Sequence, residues 1–156
     1  MYHHICRLDI FMKSEPGTYA LILRSHSKAI IQVGLWGQLA LKPGYYIYIG
    51  SAFGPGGVRA RVLRHYRKIK STHWHIDYLR QFVCPTVAWY NHEERRLEHK
   101  WAQVLSRMSC MSPIKGFGCS DCKCYSHLFH TSNVLELAKF SNLVGDKVEL
   151  WSYQTT

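Results

Sequence analysis

β-branched and aromatic residues gather along this chain in short runs separated by turn formers. Residues 18–23 and 29–33 are two such runs, and the polar Arg24-Ser25-His26-Ser27-Lys28 between them predicts a hairpin turn. Lys42-Pro43-Gly44 then leads into a third run, 45–49. There the period-two alternation puts Tyr46 and Tyr48 on one face and Tyr45, Ile47 and Ile49 on the other. The glycines and proline of 51–57 break both helix and strand, so the next helix starts near Val58. At about 100° per residue, Val58, Val62, Tyr66 and Ile69 fall on one arc, with Arg61 and His65 at its edge and Arg64 and Lys68 beyond it.

Thr72 is the expected cap of a second helix that buries Trp74, Tyr78, Leu79 and Phe82 and stops at Pro85. Residues 86–90 read as a strand, and Asn91 as the cap of a third helix from Glu93 to about Met108. The apolar arc of that helix is Leu97, Trp101, Val104, Leu105 and Met108. A short helix at 134–138 and a strand at 148–151 complete the pattern. The fold class this predicts is α+β, with a central antiparallel sheet of three or more strands flanked by helices.

Composition narrows the partner. The 156 residues suit one domain, and a formal net charge of +10 favours a polyanion over an acidic small molecule. Ribosomal, membrane-surface and nuclease proteins share such a charge, so it selects no activity. The first residues lack the apolar run of a signal peptide and no stretch is long enough to span a bilayer, which leads us to expect a cytoplasmic protein with no membrane partner. In that compartment six cysteines are expected to be free thiols or metal ligands, not a disulfide framework.

Gly17-Thr18-Tyr19 and Tyr48-Ile49-Gly50, followed by a helix with Arg61 and His65, resemble the core of a GIY-YIG nuclease. The blocks 44–52, Arg61-Val62-Leu63-Arg64-His65, His73-Trp74-His75-Ile76-Asp77-Tyr78-Leu79 and Gly116-Phe117-Gly118-Cys119-Ser120-Asp121-Cys122 further resemble an uncharacterised GIY-YIG subfamily. The resemblance covers residues 17–130 within a single domain of 1–156, and 131–156 reads as a C-terminal extension packed on it. Thr18 stands where the family usually has isoleucine. The segment between the two tyrosine runs is longer than in the family's homing endonucleases and has room for an extra hairpin or strand.

The resemblance implies a divalent-metal-dependent endonuclease. Phosphodiester hydrolysis needs a nucleophilic water, neutralised charge at phosphorus and a stabilised leaving oxygen. By resemblance Arg61 binds the non-bridging oxygens, Glu98 holds one Mg²⁺ or Mn²⁺, and Tyr19, Tyr48 and His65 orient or deprotonate the water. A planar guanidinium matches two phosphate oxygens and keeps its charge at any working pH. Arg59 and Arg64 compete for the role of Arg61, although only Arg61 has a histidine one helical turn on. Glu98 lies within or beside the third helix's apolar arc, where a bare carboxylate requires a cation or a donor. Glu94, one turn earlier, is its rival, and His99 follows where relatives often have cysteine.

Arg59, Arg61, Arg64, Arg67, Lys68 and Lys70 form a basic stripe with no acidic residue between Glu15 and Asp77. Solvated surface is the ordinary explanation of such a run; here it reads as a phosphate-backbone track for nucleic acid, DNA ahead of RNA. His73-x-His75-x-Asp77 hints at a binuclear metal motif, but a hydrogen-bonded His75 and a capping or salt-bridging Asp77 are preferred. Cys119, Cys122, Cys124 and His127 are four soft ligands crowded into nine positions, whereas zinc sites usually use two separated pairs. A Gly-rich loop that folds Ser120, Asp121 and His127 over the cleft is therefore favoured over a Zn²⁺ site. Two alternatives stay open: a nucleic-acid-binding module that does not cleave, and a zinc-stabilised interaction domain.

Overall fold

The computed structural model describes residues 12–67, 71–119 and 122–152. Its elements in chain order are β1 (Gly17–Ser25), β2 (Ala29–Val33), β3 (Gly37–Leu41), β4 (Gly44–Ala52), α1 (Gly57–Tyr66), α2 (His75–Leu79), β5 (Cys84–Asn91), α3 (Glu98–Ser106), β6 (Ser112–Pro113), β7 (Leu128–Thr131), α4 (Leu137–Val144) and β8 (Glu149–Ser152). The fold is α+β. A six-stranded antiparallel sheet has the order β6-β7-β4-β1-β5-β8, and β2 and β3 form a separate two-stranded ribbon.

Strand β1 is buried at every position except Arg24, as a strand covered on both faces must be. It pairs with β4 from Gly17↔Ala52 to Ser25↔Gly44, and with β5 on its other edge. The two tyrosine strands are therefore direct neighbours. Alternation then sorts the core. Tyr19, Leu21, Leu23, Tyr46 and Tyr48 join Val58 and Val62 of α1, while Ala20, Ile22, Ile47 and Ile49 join Trp101 of α3 and Phe140 of α4.

The turn expected at 24–28 does not form a hairpin between the first two runs. Both edges of β1 are taken by β4 and β5, so β2 leaves the sheet and pairs with β3 from Ala29↔Leu41 to Val33↔Gly37. The ribbon buries Ile31, Val33, Leu39 and Leu41 against the α1 side of the core.

The second helix is shorter than its pattern. Asp77 Oδ2 accepts the backbone N–H groups of His73 and Trp74 at 2.8 and 2.9 Å, so Trp74 caps the helix in place of Thr72. The turn unwinds after Leu79, leaving Phe82 52% exposed, and Pro85 lies inside β5.

The third helix starts at Glu98, five residues later than expected. Asn91 is held in β5 opposite Thr18 and its Nδ2 donates to the Lys147 carbonyl, so it does not cap a helix. Thr18 instead accepts the Leu97 N–H on its Oγ1 at 3.2 Å, fixing the start of α3 to the central strand. The C-terminal residues enter the architecture directly: α4 begins at Leu137, later than its pattern, and β8 is an edge strand paired with β5.

Candidate functional site

A cleft of about 350 Å³ opens where β4 runs past the end of β7. It is lined by Tyr19, Tyr48, Arg61, Trp74, Arg96, Glu98 and His127, among others. β1, β4, α1 and α3 supply Tyr19, Tyr48, Arg61 and Glu98, and three irregular segments supply Trp74, Arg96 and His127.

Tyr19 points from β1 toward α1 and is buried. Its phenol lies across Gly50 of β4, where any Cβ would fall within the tyrosine ring's contact distance. Glycine is required there for close approach. Gly17 answers a second constraint, because a Cβ on it would strike the Asn91 carbonyl. Tyr19 Oη and His65 Nε2 are 2.7 Å apart, and the His65 ring also meets the edge of Tyr48 with centroids 5.9 Å apart.

Electrostatics ties the group together. Burial, then the neighbouring Tyr48, pushes the Tyr19 phenol well above its usual range, with Arg61 pulling it back. Burial and then the Glu98 carboxylate raise Tyr48 likewise. Burial keeps both phenols protonated at pH 7.

Arg61 reaches the cleft from α1. Its Nη1 donates to the Ser51 carbonyl at 3.4 Å, and its guanidinium lies 4.3 Å from the Trp74 ring centroid. That contact places the guanidinium at the wall of the cleft beside Tyr19. Glu98 is the first residue of α3 and its side chain is 18% exposed. Among the described residues lining the cleft it is the one carboxylate.

A second constellation adjoins this cleft. One ligand atom each from His99, Cys122, Cys124 and His127 lie within 4.8 Å of one another, a group that could hold a metal ion. The set leans against the preference for a cleft loop over zinc. The crowding argument assumed that one segment supplied all four ligands, but α3 contributes His99 and Cys119 stands outside. Two thiols with two imidazoles suit zinc better than Mg²⁺ or Mn²⁺. The five described cysteines are free thiols. Burial raises Cys119 to about 12 and Cys124 to about 11, with Cys122 adding to both.

Residues 18–150 match the family described as Domain of unknown function DUF123. The chain belongs to the DUF123 family. Curated proteins and solved structures gave no match.

The DUF123 match contains the whole cleft and the whole His/Cys group. Of the residues singled out in the sequence, Tyr19, Tyr48, Arg61 and Glu98 line one cavity, with His65 behind Tyr19. Arg59 and Arg64 are not among its lining residues. Arg64 is bidentate to Asp77 at 2.7 and 2.9 Å and stacks 4.2 Å from the Trp74 centroid, so Asp77 neutralises part of the basic stripe. Arg67 is exposed after α1, while Lys68, Lys70, Ser120 and Asp121 lie outside the described residues. Glu94 is exposed in the loop before α3 and does not line the cleft. His75 Nδ1 accepts the Gly118 N–H at 3.0 Å, the hydrogen-bonded role expected of it. Among the described residues no helix is long and apolar enough to cross a membrane.

Trp74, Arg96 and His99 were not anticipated as site residues. Arg96 carries no motif signal, and Trp74 lies in the 73–79 block without a role assigned to it. His99 did carry one, because the resemblance implies cysteine at a position that is histidine here, and both are zinc-ligand types.

Proposed function

We propose that this DUF123 chain is a divalent-metal-dependent endonuclease of GIY-YIG type, hydrolysing phosphodiester bonds of nucleic acid, DNA ahead of RNA. The observation that carries this reading is the convergence of Tyr19, Tyr48, Arg61 and Glu98 on one cleft. A single carboxylate at the rim fits a hard cation that takes its remaining ligands from water and phosphate. Bound at Glu98, Mg²⁺ or Mn²⁺ would supply Lewis-acid stabilisation of the leaving oxygen.

The chain's own residues do the rest. Arg61 offers its guanidinium to the non-bridging oxygens and neutralises charge that builds as water attacks phosphorus. Tyr19 has a lone pair for a proton from that water while passing its own proton to His65 Nε2. The concerted relay never requires a tyrosinate, which burial disfavours. Tyr48 faces the same opening as a neutral donor that orients water or phosphate.

The test is nicking of supercoiled plasmid with Mg²⁺ or Mn²⁺, comparing wild type with Glu98→Gln. Cleavage is expected to fall by about 10²-fold or more while binding stays within about twofold, because the change removes an anionic ligand from a nearly isosteric side chain. Absence of metal-dependent nicking in wild type on plasmid, branched DNA and RNA would leave the non-cleaving nucleic-acid-binding reading in its place. Equal nicking by both proteins would move the metal away from Glu98.

A further inference from the structure

We propose that His99, Cys122, Cys124 and His127 hold one zinc ion, which staples the first turn of α3 to β4 through the segment 122–127 and forms one wall of the cleft.

The four donors already approach a coordination sphere. Ligands of a tetrahedral zinc, at about 2.0–2.3 Å from the metal, are separated by roughly 3.3–3.8 Å. Here His99 Nδ1 is 2.9 Å from Cys124 Sγ, Cys122 Sγ is 3.2 Å from His127 Nε2, and the whole set spans no more than 4.8 Å. An ion at the centre needs only small side-chain adjustments.

The surroundings are those of a built site. His127 is buried, and its Nδ1–H donates to the Ile49 carbonyl at 3.2 Å, which leaves the Nε2 lone pair aimed at Cys122. A carbonyl partner that fixes the imidazole tautomer is the usual outer shell of a metal-bound histidine. The Ile49 N–H in turn donates to the His127 carbonyl at 2.9 Å, so backbone and ring are both pinned to β4. His99 Nε2 faces Glu98 Oε1 at 3.8 Å, placing a carboxylate behind the second imidazole. Four protein ligands close the sphere, so the ion is structural and leaves no position for substrate water.

Topology gives the ion its work. Residues 122–127 contain neither helix nor strand, and their hold on the α3 side of the cleft is the His99 Nδ1 to Cys124 Sγ contact and the ring contact of His99 with His127. Zinc would join α3, the irregular segment and β4 at one point. Because Glu98 directly precedes His99, the same ion would fix the backbone that carries Glu98. This last consequence rests on the proposed cleavage reaction; zinc binding does not.

The experiment uses the untagged full-length chain. Metal analysis after exhaustive dialysis should find one zinc per chain. Cys84→Ser/Cys110→Ser, which alters exposed thiols outside the group, should keep it, and Cys122→Ser/Cys124→Ser should lose it. Should the latter fail to fold, Co²⁺ exchanged into wild type provides the second readout: intense tetrahedral d–d bands with thiolate charge-transfer intensity for two sulfurs. Withdrawing zinc with a chelator should lower Tm by at least about 5 °C, since a ligand bound by the native state alone stabilises it.

Folded wild type with neither zinc nor a tetrahedral cobalt spectrum would overturn the site. Full zinc in Cys122→Ser/Cys124→Ser would also overturn it. Bound zinc with an unchanged Tm would overturn the staple. Zinc-loaded protein that never nicks with Mg²⁺ or Mn²⁺ would leave this site standing and remove the nuclease reading, so the two failures are distinct.

Discussion

Tyr19 and His65, 46 residues apart in the chain, are joined by a 2.7 Å hydrogen bond between Oη and Nε2 inside the core. Tyr19 faces the cleft and His65 stands behind it, so the proposed proton relay runs through the pair. If they act as a unit, their losses do not add. Tyr19→Phe and His65→Gln should each reduce single-turnover nicking by about 10²-fold or more, and the double variant should be no worse than the weaker single one. Multiplicative losses measured at saturating protein and metal would separate the two roles.

Gly50→Ala tests the packing that holds this pair. The added methyl would occupy the space of the Tyr19 phenol, and both backbone strands are fixed by pairing. Overpacking of this kind costs about 1–3 kcal/mol. Thermal melting should show that loss, and nicking should fall further than melting alone accounts for, because Tyr19 has to move. An unaltered Tm and rate would show that the tyrosine does not depend on this glycine.

Arg61→Lys keeps the charge but loses the planar fork and the stacking geometry on Trp74. Turnover should drop at least about tenfold, equivalent to roughly 1.4 kcal/mol of transition-state stabilisation. Arg59→Lys should change turnover little, since Arg59 does not line the cleft. Single-turnover rates of the two variants decide the order. A tolerant Arg61 beside an essential Arg59 would reverse the assignment.

The Arg64–Asp77 pair should report through pH. Burial alone would raise Asp77, but the Arg64 guanidinium and the N–H groups of Trp74 and His73 outweigh it and hold the carboxyl below its ordinary value of 3.8. A carboxyl depressed in the folded state stabilises the protein above its unfolded value, and that contribution is lost as pH falls through the folded one. Tm should therefore decline below about pH 4, and Asp77→Asn should flatten that part of the profile. At neutral pH the same substitution should destabilise by roughly 2–4 kcal/mol, because it strands a partly buried guanidinium. Melting curves of both proteins across the acid range provide the check. Superimposable profiles would remove the pair from the stability of the fold.

By itself the sequence determined what depends on neighbours along the chain. The alternation in 45–49 sorted Tyr46 and Tyr48 from Ile47 and Ile49, and the helical period set Arg61 and His65 at the edge of the arc led by Val58 and Val62. These are short-range patterns, with side-chain direction following from backbone period alone. The tertiary structure decided whatever depended on a distant partner. β1 took β4 and β5 and displaced β2 into a ribbon, because a central strand has only two edges. Helix α3 began at Glu98 because Leu97 donates to Thr18, 79 residues away, which no local cap announces. Arg64 left the cationic track because Asp77 reaches it from α2. His99 joined Cys122, Cys124 and His127 because the fold lays the first turn of α3 against a segment more than twenty residues later, a proximity that no spacing within either piece encodes.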